Sequence, residues 1–167
     1  MPARWTLPPT RPVEGPLQVI ARHHADAPPV DLDKIAHELG LKIYAEQLED
    51  GVFGKLVRDS NVPSGFSIHV NAYDSPARKR FTIAHEISHY ILHKDLINVE
   101  IVDMTMYRSM LSSEYETQAN RLAAEILMPA NLVKREFAND QDVTSLARKF
   151  DVSLAAMEIR LRGLRLI

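Results

Sequence analysis

The chain of 167 residues contains no cysteine, and this absence excludes several kinds of functional site. Disulfide bonds, thiol catalysis and metal sites built on thiolate ligands all require cysteine. An excess of one charge is also lacking, because 20 Lys and Arg residues and 22 Asp and Glu residues leave a formal net charge of −2. The composition therefore gives no indication of a protein that binds nucleic acid or an anionic membrane through a general basic field.

Long apolar runs are missing as well. No segment approaches the length needed to span a membrane, and residues 1–16, MPARWTLPPTRPVEGP, lack the apolar centre of a signal peptide. We therefore expect a cytoplasmic protein without a membrane contact. The remaining composition, with 46% hydrophobic and 25% charged residues, is typical of a globular domain with its own core.

Proline content and apolar periodicity divide the chain into three parts. Residues 1–16 hold five of the ten prolines and predict an extended tail. Residues 17–137 predict the main domain, and residues 138–167 predict two short amphipathic helices. Two helices joined by a tight turn have the outline of a helix-turn-helix. We do not expect direct DNA binding, because the whole chain is not basic and such a pair more often braces a core.

The segment 78–93, RKRFTIAHEISHYILH, carries the main candidate for chemistry. His85, Glu86 and His89 form the pattern H-E-x-x-H. Residues four apart on an α-helix share a face, so both imidazoles can bind one Zn²⁺ ion while Glu86 reaches a water molecule. Ser75, followed by proline, predicts the helix start, and the apolar residues of the segment indicate a core helix. Imidazoles and a carboxylate on a core helix need partners or a metal.

Two imidazoles and a water molecule leave a catalytic zinc site one protein ligand short. Glu116 shares a helical stripe with Ala119 and Ala123, and a carboxylate on a buried stripe needs a positive partner. One alternative is that Glu116 only completes a helix-capping box with Ser113. Another is that Glu114 is the ligand, although it points away from the apolar stripe. We favour Glu116.

Two further polar residues are candidates for supporting the metal ligands. Asn120 lies one helical turn after Glu116, and His93 lies four residues after His89. His93 does not fit the metzincin pattern, in which the third histidine follows the second by six residues. The donor that would stabilise an oxyanion stays open among Tyr90, Tyr107, Tyr115 and His93.

Three strand-like segments precede the motif helix and predict a small, mostly antiparallel sheet at residues 41–45, 52–58 and 66–71. A free strand edge beside a metal-binding helix can bind an extended peptide by adding a strand to the sheet. We predict the segment 66–71 as that edge, with an interior position as the alternative. The predicted substrate contacts are therefore Phe66, Ile68, His69, Val70 and Asn71.

Three segments together resemble the ImmA/IrrE metallopeptidases of bacteria and mobile elements. They are IHVNAYDSPARKRFTIAHEISHYILH, ETQANRLAAEILMP and LARKFDVSLAAMEIRLRGL, and the likeness extends over about residues 30–167. The resemblance implies an α+β, zincin-like catalytic domain with Zn²⁺ on His85, His89 and Glu116 and with Glu86 as the general base. It also implies a protein substrate, namely a helix-turn-helix repressor or antitoxin that is cut in a stress or mobile-element response.

Two classes of function follow from these observations. The first is a zinc endopeptidase of the gluzincin type, in which a carboxylate completes the H-E-x-x-H site. The alternative is a toxin-like interaction protein that sequesters a DNA-binding partner and uses zinc only for structure. Glu86 favours the enzyme, because a purely structural zinc site has no use for that carboxylate.

Overall fold

The computed structural model describes residues 14–97, 100–104 and 113–167. The described residues form an α+β fold, as predicted. In chain order its elements are α1 (Pro16–His23), α2 (Leu32–Glu38), β1 (Lys42–Glu46), β2 (Val52–Arg58), β3 (Phe66–Asn71), α3 (Pro76–His93), a short 3-10 helix (Lys94–Leu96), β4 (Glu100–Met104), α4 (Ser113–Leu127), α5 (Ala130–Asn139), α6 (Val143–Phe150) and α7 (Leu154–Gly163). Most of the predicted tail at residues 1–16, and Tyr107, lie outside the described residues.

The four strands form one mixed sheet in the order β1-β3-β2-β4. Strand β1 runs parallel to β3, whereas β2 is antiparallel to both β3 and β4. Two of the three strand pairs are therefore antiparallel, in agreement with a mostly antiparallel sheet. The strands β1 and β4 form the two edges of this sheet in the part of the chain that is described.

The prediction that residues 66–71 form a free edge is wrong. Strand β3 lies between β1 and β2, so Ile68 is paired with Ile43 on one side and with Leu56 on the other. Both hydrogen-bonding sides of the β3 backbone are occupied, so an added peptide strand has no place there. Alternation along a strand shows which face is buried, but it carries no information about the order of strands.

The predicted start of the motif helix at Ser75 is confirmed, and two other helices begin with a cap of the same kind. The side chain of Asp31 accepts a hydrogen bond of 3.0 Å from the backbone N–H of Lys34 at the start of α2. Ser75 does the same for Arg78 at the start of α3, at 3.4 Å, and Ser153 caps α7. Each cap satisfies one of the backbone N–H groups that have no partner in the first turn of a helix.

Helix α3 packs across one face of the sheet and against α4, and these contacts bury its apolar side. The core contains Leu56 and Ile68 from the sheet and Ile87 from α3. Phe150 from α6 and Met157 from α7 belong to the same core, so the C-terminal helices pack against the body of the protein. In the described residues, none of the helices is long and apolar enough to cross a membrane.

Arg80, in the first half of α3, connects three distant segments of the chain. Its guanidinium donates to the backbone carbonyl of Val30 at 2.9 Å and to that of Asp151 at 3.2 Å. The same group also lies 3.4 Å from the Asp151 carboxylate. Arg80 therefore links the motif helix to the loop before α2 and to the turn between α6 and α7.

Candidate metal centre

The packing of α3 against α4 brings two histidines and one glutamate together. His85 Nε2 lies 3.0 Å from His89 Nε2, and the two Glu116 oxygens lie 3.4 Å from His85 Nε2 and 3.2 Å from His89 Nε2. One potential ligand atom from each residue lies within 4.8 Å of the others. Both imidazoles are buried, and the Glu116 side chain is 16% exposed.

The donor set fits a zinc ion. Two imidazole nitrogens and one carboxylate are ligands that catalytic zinc sites use, and a fourth position is left for water or substrate. Zinc–ligand bonds of about 2.0–2.1 Å in a tetrahedron place neighbouring ligand atoms roughly 3.3–3.4 Å apart. The separations of 3.0–3.4 Å between these three side chains are close to that spacing.

The electrostatics of the group favour the protonation states that a metal requires. A hydrogen bond from His85, together with the neighbouring His89 imidazole, holds the pKa of Glu116 well below its ordinary value, so the carboxylate is anionic. Burial lowers the pKa of His89, although the Glu116 carboxylate opposes this shift. A neutral imidazole and an ionised carboxylate are the forms that bind a divalent cation.

Glu86 is fully buried on α3, directly after His85. It lies against the sheet, because a Cβ atom built on Gly54 of β2 would stand 3.5 Å from Glu86 Oε1. The glycine therefore allows the backbone of β2 to come close to this carboxylate. The prediction did not include Gly54. A glycine inside a predicted strand, which often marks such a close approach, was the available signal.

The structure distinguishes between Glu116 and Glu114, the two candidates for the third ligand. Glu116 faces the imidazoles, whereas Glu114 is exposed and its Oε1 accepts a hydrogen bond of 3.4 Å from the Gln118 side chain. The Glu116 carboxylate therefore does not lie where a helix-capping role would place it. The helical stripe indicates the correct direction for this side chain, because residues three and four apart share one face.

His93 lies beside the metal-ligand candidates. It is buried, its Nδ1 lies 2.9 Å from His89 Nδ1, and its Nε2 lies 3.1 Å from Gln118 Oε1. The Tyr115 ring packs against the His93 ring with centroids 4.9 Å apart. Gln118 is not among the residues predicted from the sequence. Its place two residues after Glu116 was the only signal, and that position does not distinguish it from a solvated side chain.

The other predicted polar partners lie elsewhere. Asn120 is an exposed residue of α4, so the structure does not bring it into the buried group. Tyr90 packs edge-on against Phe66 at a centroid distance of 5.6 Å and is largely buried. These positions do not single out an oxyanion donor.

The predicted substrate contacts on β3 are also corrected. Phe66, Ile68 and Val70 are core residues with 6%, 0% and 2% exposure, so they cannot meet a bound peptide. His69 lies on the other face of the strand, where its Nδ1 is 2.7 Å from Glu46 Oε1. Asn71 accepts a hydrogen bond of 3.1 Å from the backbone of Tyr73 in the turn before α3. The alternation of this strand identified two faces, but the predicted peptide-binding edge does not exist.

The comparison with protein families agrees with this site. The family model described as the IrrE N-terminal-like domain, Peptidase_M78, matches residues 54–162, which include all four residues of the H-E-x-x-H and glutamate set. The chain belongs to the ImmA/IrrE metallopeptidase family.

The sequence identity between the chain and individual relatives is modest. The chain is 30% identical over 87 residues to metallopeptidase ImmA of Bacillus subtilis and 36% identical over 95 residues to the radiation response metalloprotease IrrE of Deinococcus deserti. These matches cover 52% and 54% of this chain, but only 48% and 34% of the relatives' own lengths. The chain therefore spans half of these proteins or less.

A solved structure shares the fold. It is a Mycobacterium tuberculosis transcriptional regulator with a TM-score of 0.59 and 18% sequence identity. The similarity covers 87% of this chain and 46% of the regulator. At this level of identity the comparison supports the arrangement of helices and strands.

Proposed function

We propose that this chain is a zinc-dependent endopeptidase with a zincin-like site of the gluzincin type. The observation that carries the proposal is the convergence of His85, His89 and Glu116, whose ligand atoms lie within 4.8 Å of one another. Membership of a metallopeptidase family supports the same reaction class. A buried H-E-x-x-H helix and a separate glutamate helix supply three protein ligands and leave one position open.

The four residues fill two roles in the proposed reaction. His85, His89 and Glu116 would hold the ion. When bound, Zn²⁺ would supply Lewis acidity, which polarises a peptide carbonyl and lowers the pKa of a water molecule at the site to about 7. The Glu86 carboxylate takes a proton from the attacking water and delivers it to the nitrogen of the leaving amine. Glu86 is fully buried, and its Oε1 lies against Gly54, so the carboxylate is held between α3 and the sheet.

We further propose that the substrate is a DNA-binding regulator of the helix-turn-helix class, either a repressor or an antitoxin. This proposal rests on the resemblance of the three sequence segments to the ImmA/IrrE family. A protein substrate agrees with the names of the curated relatives, a metallopeptidase and a radiation response metalloprotease.

The test is to co-express candidate helix-turn-helix regulators from the same genome with the wild-type chain or with the Glu86→Gln variant. The wild type should produce one defined fragment, and a metal chelator should abolish it. The Glu86→Gln variant should retain zinc but lose at least about 10²–10⁴-fold in cleavage rate, because it lacks the proton acceptor. Glu158→Gln on the exposed side of α7 is the matched control and should cleave normally.

The same experiment separates catalysis from sequestration. If both the wild type and Glu86→Gln abolished DNA binding by the regulator without any fragment, the protein would act by sequestration. If Glu86→Gln cleaved at the wild-type rate, Glu86 would not be the base.

A further inference from the structure

A line of hydrogen-bonded side chains leads from the metal-ligand candidates to the protein surface. It starts at His89 Nδ1, 2.9 Å from His93 Nδ1, and continues from His93 Nε2 to Gln118 Oε1 at 3.1 Å. The Gln118 amide nitrogen then donates to Glu114 Oε1 at 3.4 Å. Both histidines are buried, whereas Glu114 and Gln118 are exposed, so the line crosses from α3 to the solvent side of α4.

The carboxylate of Glu114, at the outer end of this line, determines which atom donates and which accepts in each of its hydrogen bonds. A carboxylate can only accept, so the Gln118 NH₂ group faces Glu114 and its carbonyl oxygen faces His93. That carbonyl also only accepts, so His93 carries its proton on Nε2. A neutral imidazole protonated at Nε2 has its lone pair on Nδ1, and His93 Nδ1 therefore accepts.

The consequence reaches the metal-ligand candidate itself. Because His93 Nδ1 accepts, His89 Nδ1 carries the proton and donates. The lone pair of His89 is then on Nε2, the atom that lies 3.2 Å from Glu116 and 3.0 Å from His85 Nε2. A carboxylate beside Nε2 favours the opposite tautomer, with the proton on Nε2. The contact with His93 works against that preference and keeps Nε2 available as a ligand.

We propose that His93 and Gln118 are positioning residues that hold His89 in the Nδ1–H tautomer and so prepare its Nε2 for zinc. This inference rests on the proposed role of His85, His89 and Glu116 as zinc ligands. Gln118 and Glu116 lie on the same helix, so the approach of α4 to α3 delivers the third ligand and the orienting amide together.

A purely structural role for these residues predicts different behaviour. His93 is buried and packs on Tyr115, so its surroundings alone contribute to stability. Gln118→Met keeps the length and bulk of the side chain but removes the oxygen that accepts from His93. Gln118→Glu keeps an accepting oxygen but places a second carboxylate beside Glu114. Packing alone therefore predicts that both substitutions are tolerated, whereas the positioning role predicts that only Gln118→Met weakens zinc binding.

The experiment measures zinc affinity of the full chain by competition with a chromophoric chelator. Gln118→Met should weaken zinc binding by about 10–100-fold, the usual cost of losing an outer partner of a ligating histidine. Gln118→Glu should stay within about threefold of the wild type, since the acceptor is retained. Gln141→Met, at an exposed glutamine before α6, is the matched control and should bind as the wild type does.

A second measurement reads the tautomer directly. Long-range ¹H–¹⁵N spectra of the zinc-free wild type should show His89 protonated at Nδ1 and His93 protonated at Nε2. The His93→Phe variant, whose folding is checked by circular dichroism, should lose the acceptor and weaken zinc binding as Gln118→Met does.

The results distinguish failure of this inference from failure of the proposed function. If Gln118→Met bound zinc as tightly as the wild type, the positioning role would be overturned while the zinc site stood. A His89 protonated at Nε2 in the zinc-free wild type would overturn it in the same way. If the wild-type chain did not bind zinc at all, the proposed function would fail, and the positioning role would fail with it.

Discussion

Gly54 of β2 lies directly against Glu86 of α3. A Cβ atom at residue 54 would stand 3.5 Å from Glu86 Oε1 and 3.1 Å from the His69 carbonyl oxygen, and it would overlap with Thr82 Cγ2. Cβ atoms essentially never come within 3.0 Å of a heavy atom outside their own and the adjacent residues. The missing side chain therefore sets the distance between the strand and the helix that carries the proposed base.

The first prediction concerns this contact. Gly54→Ala should destabilise the fold by about 1–3 kcal/mol, because the added methyl group forces β2 and α3 apart. It should also slow peptide cleavage, since the strand lies against Glu86. Urea unfolding and the cleavage assay measure the two effects. Gly163→Ala is the control and should cause little change, because a Cβ atom there meets nothing within 4 Å.

A second substitution tests the cause of the Gly54→Ala effect. Thr82→Ser removes Cγ2, the atom in the closest contact, and should restore part of the lost stability when combined with Gly54→Ala. Purely additive losses in the double variant would contradict a clash at this position.

The second prediction concerns Glu116. Glu116→Gln replaces the anionic ligand candidate with a neutral amide and should weaken zinc binding by more than about 100-fold, beyond the usual effect of an outer partner. Competition with a chelator measures the affinity. Glu158→Gln on α7 is the matched control. Wild-type affinity in Glu116→Gln would show that the third ligand lies elsewhere.

The third prediction concerns removal of the metal. An ion that binds only the folded state stabilises it by RT ln(1 + [L]/Kd), about 2.7 kcal/mol at a free concentration of 100 Kd. Chelation should therefore lower the unfolding temperature of the wild type, whereas Glu116→Gln should unfold at the same temperature with and without chelator. An equal shift in both proteins would indicate that the stabilising metal binds outside this group.

The fourth prediction concerns pH and the packing of α5 against α6. The Glu136 carboxylate contacts the Lys149 ammonium and lies 3.0 Å from the Arg135 guanidinium, and the Lys149 hydrogen bond is the main cause that lowers the pKa of Glu136. A lowered pKa in the folded state gives stability that is present above the ordinary value of 4.5 and is lost as the pH falls through the lowered value.

We therefore expect Glu136→Gln to destabilise the protein by about 1 kcal/mol at pH 7, since the pair is partly exposed to solvent. The difference from the wild type should shrink as the pH falls below about 4. Chemical unfolding at pH 7 and at pH 3 measures it. A difference that stayed constant between these values would contradict a contribution from the ionised carboxylate.

Local chemistry made much of the fold predictable. The caps at Asp31 and Ser75 act within three residues, so the helix starts can be read directly from the sequence. The same holds for the direction of Glu116, because helical periodicity fixes which residues share a face. With His85 and His89 on one helix, a single helix–helix contact was enough to bring the candidate site together.

Long-range arrangement was not predictable in the same way. Strand β3 is interior because β1 pairs with it in parallel on one side and β2 pairs with it on the other. The alternation of residues 66–71 predicts neither pairing. The contact of Gln118 with His93 depends on how α4 approaches α3. A glutamine near the start of a helix looks the same in sequence whether it faces solvent or a buried ring.

Arg80 joins the loop before α2 and the turn between α6 and α7 to the same helix. One guanidinium fastens the carbonyl of Val30 and the carbonyl of Asp151 to the helix that carries His85. The α6–α7 corner is thereby tethered to the first half of the imidazole-bearing helix by one hydrogen bond and the adjacent Asp151 carboxylate, independently of the sheet.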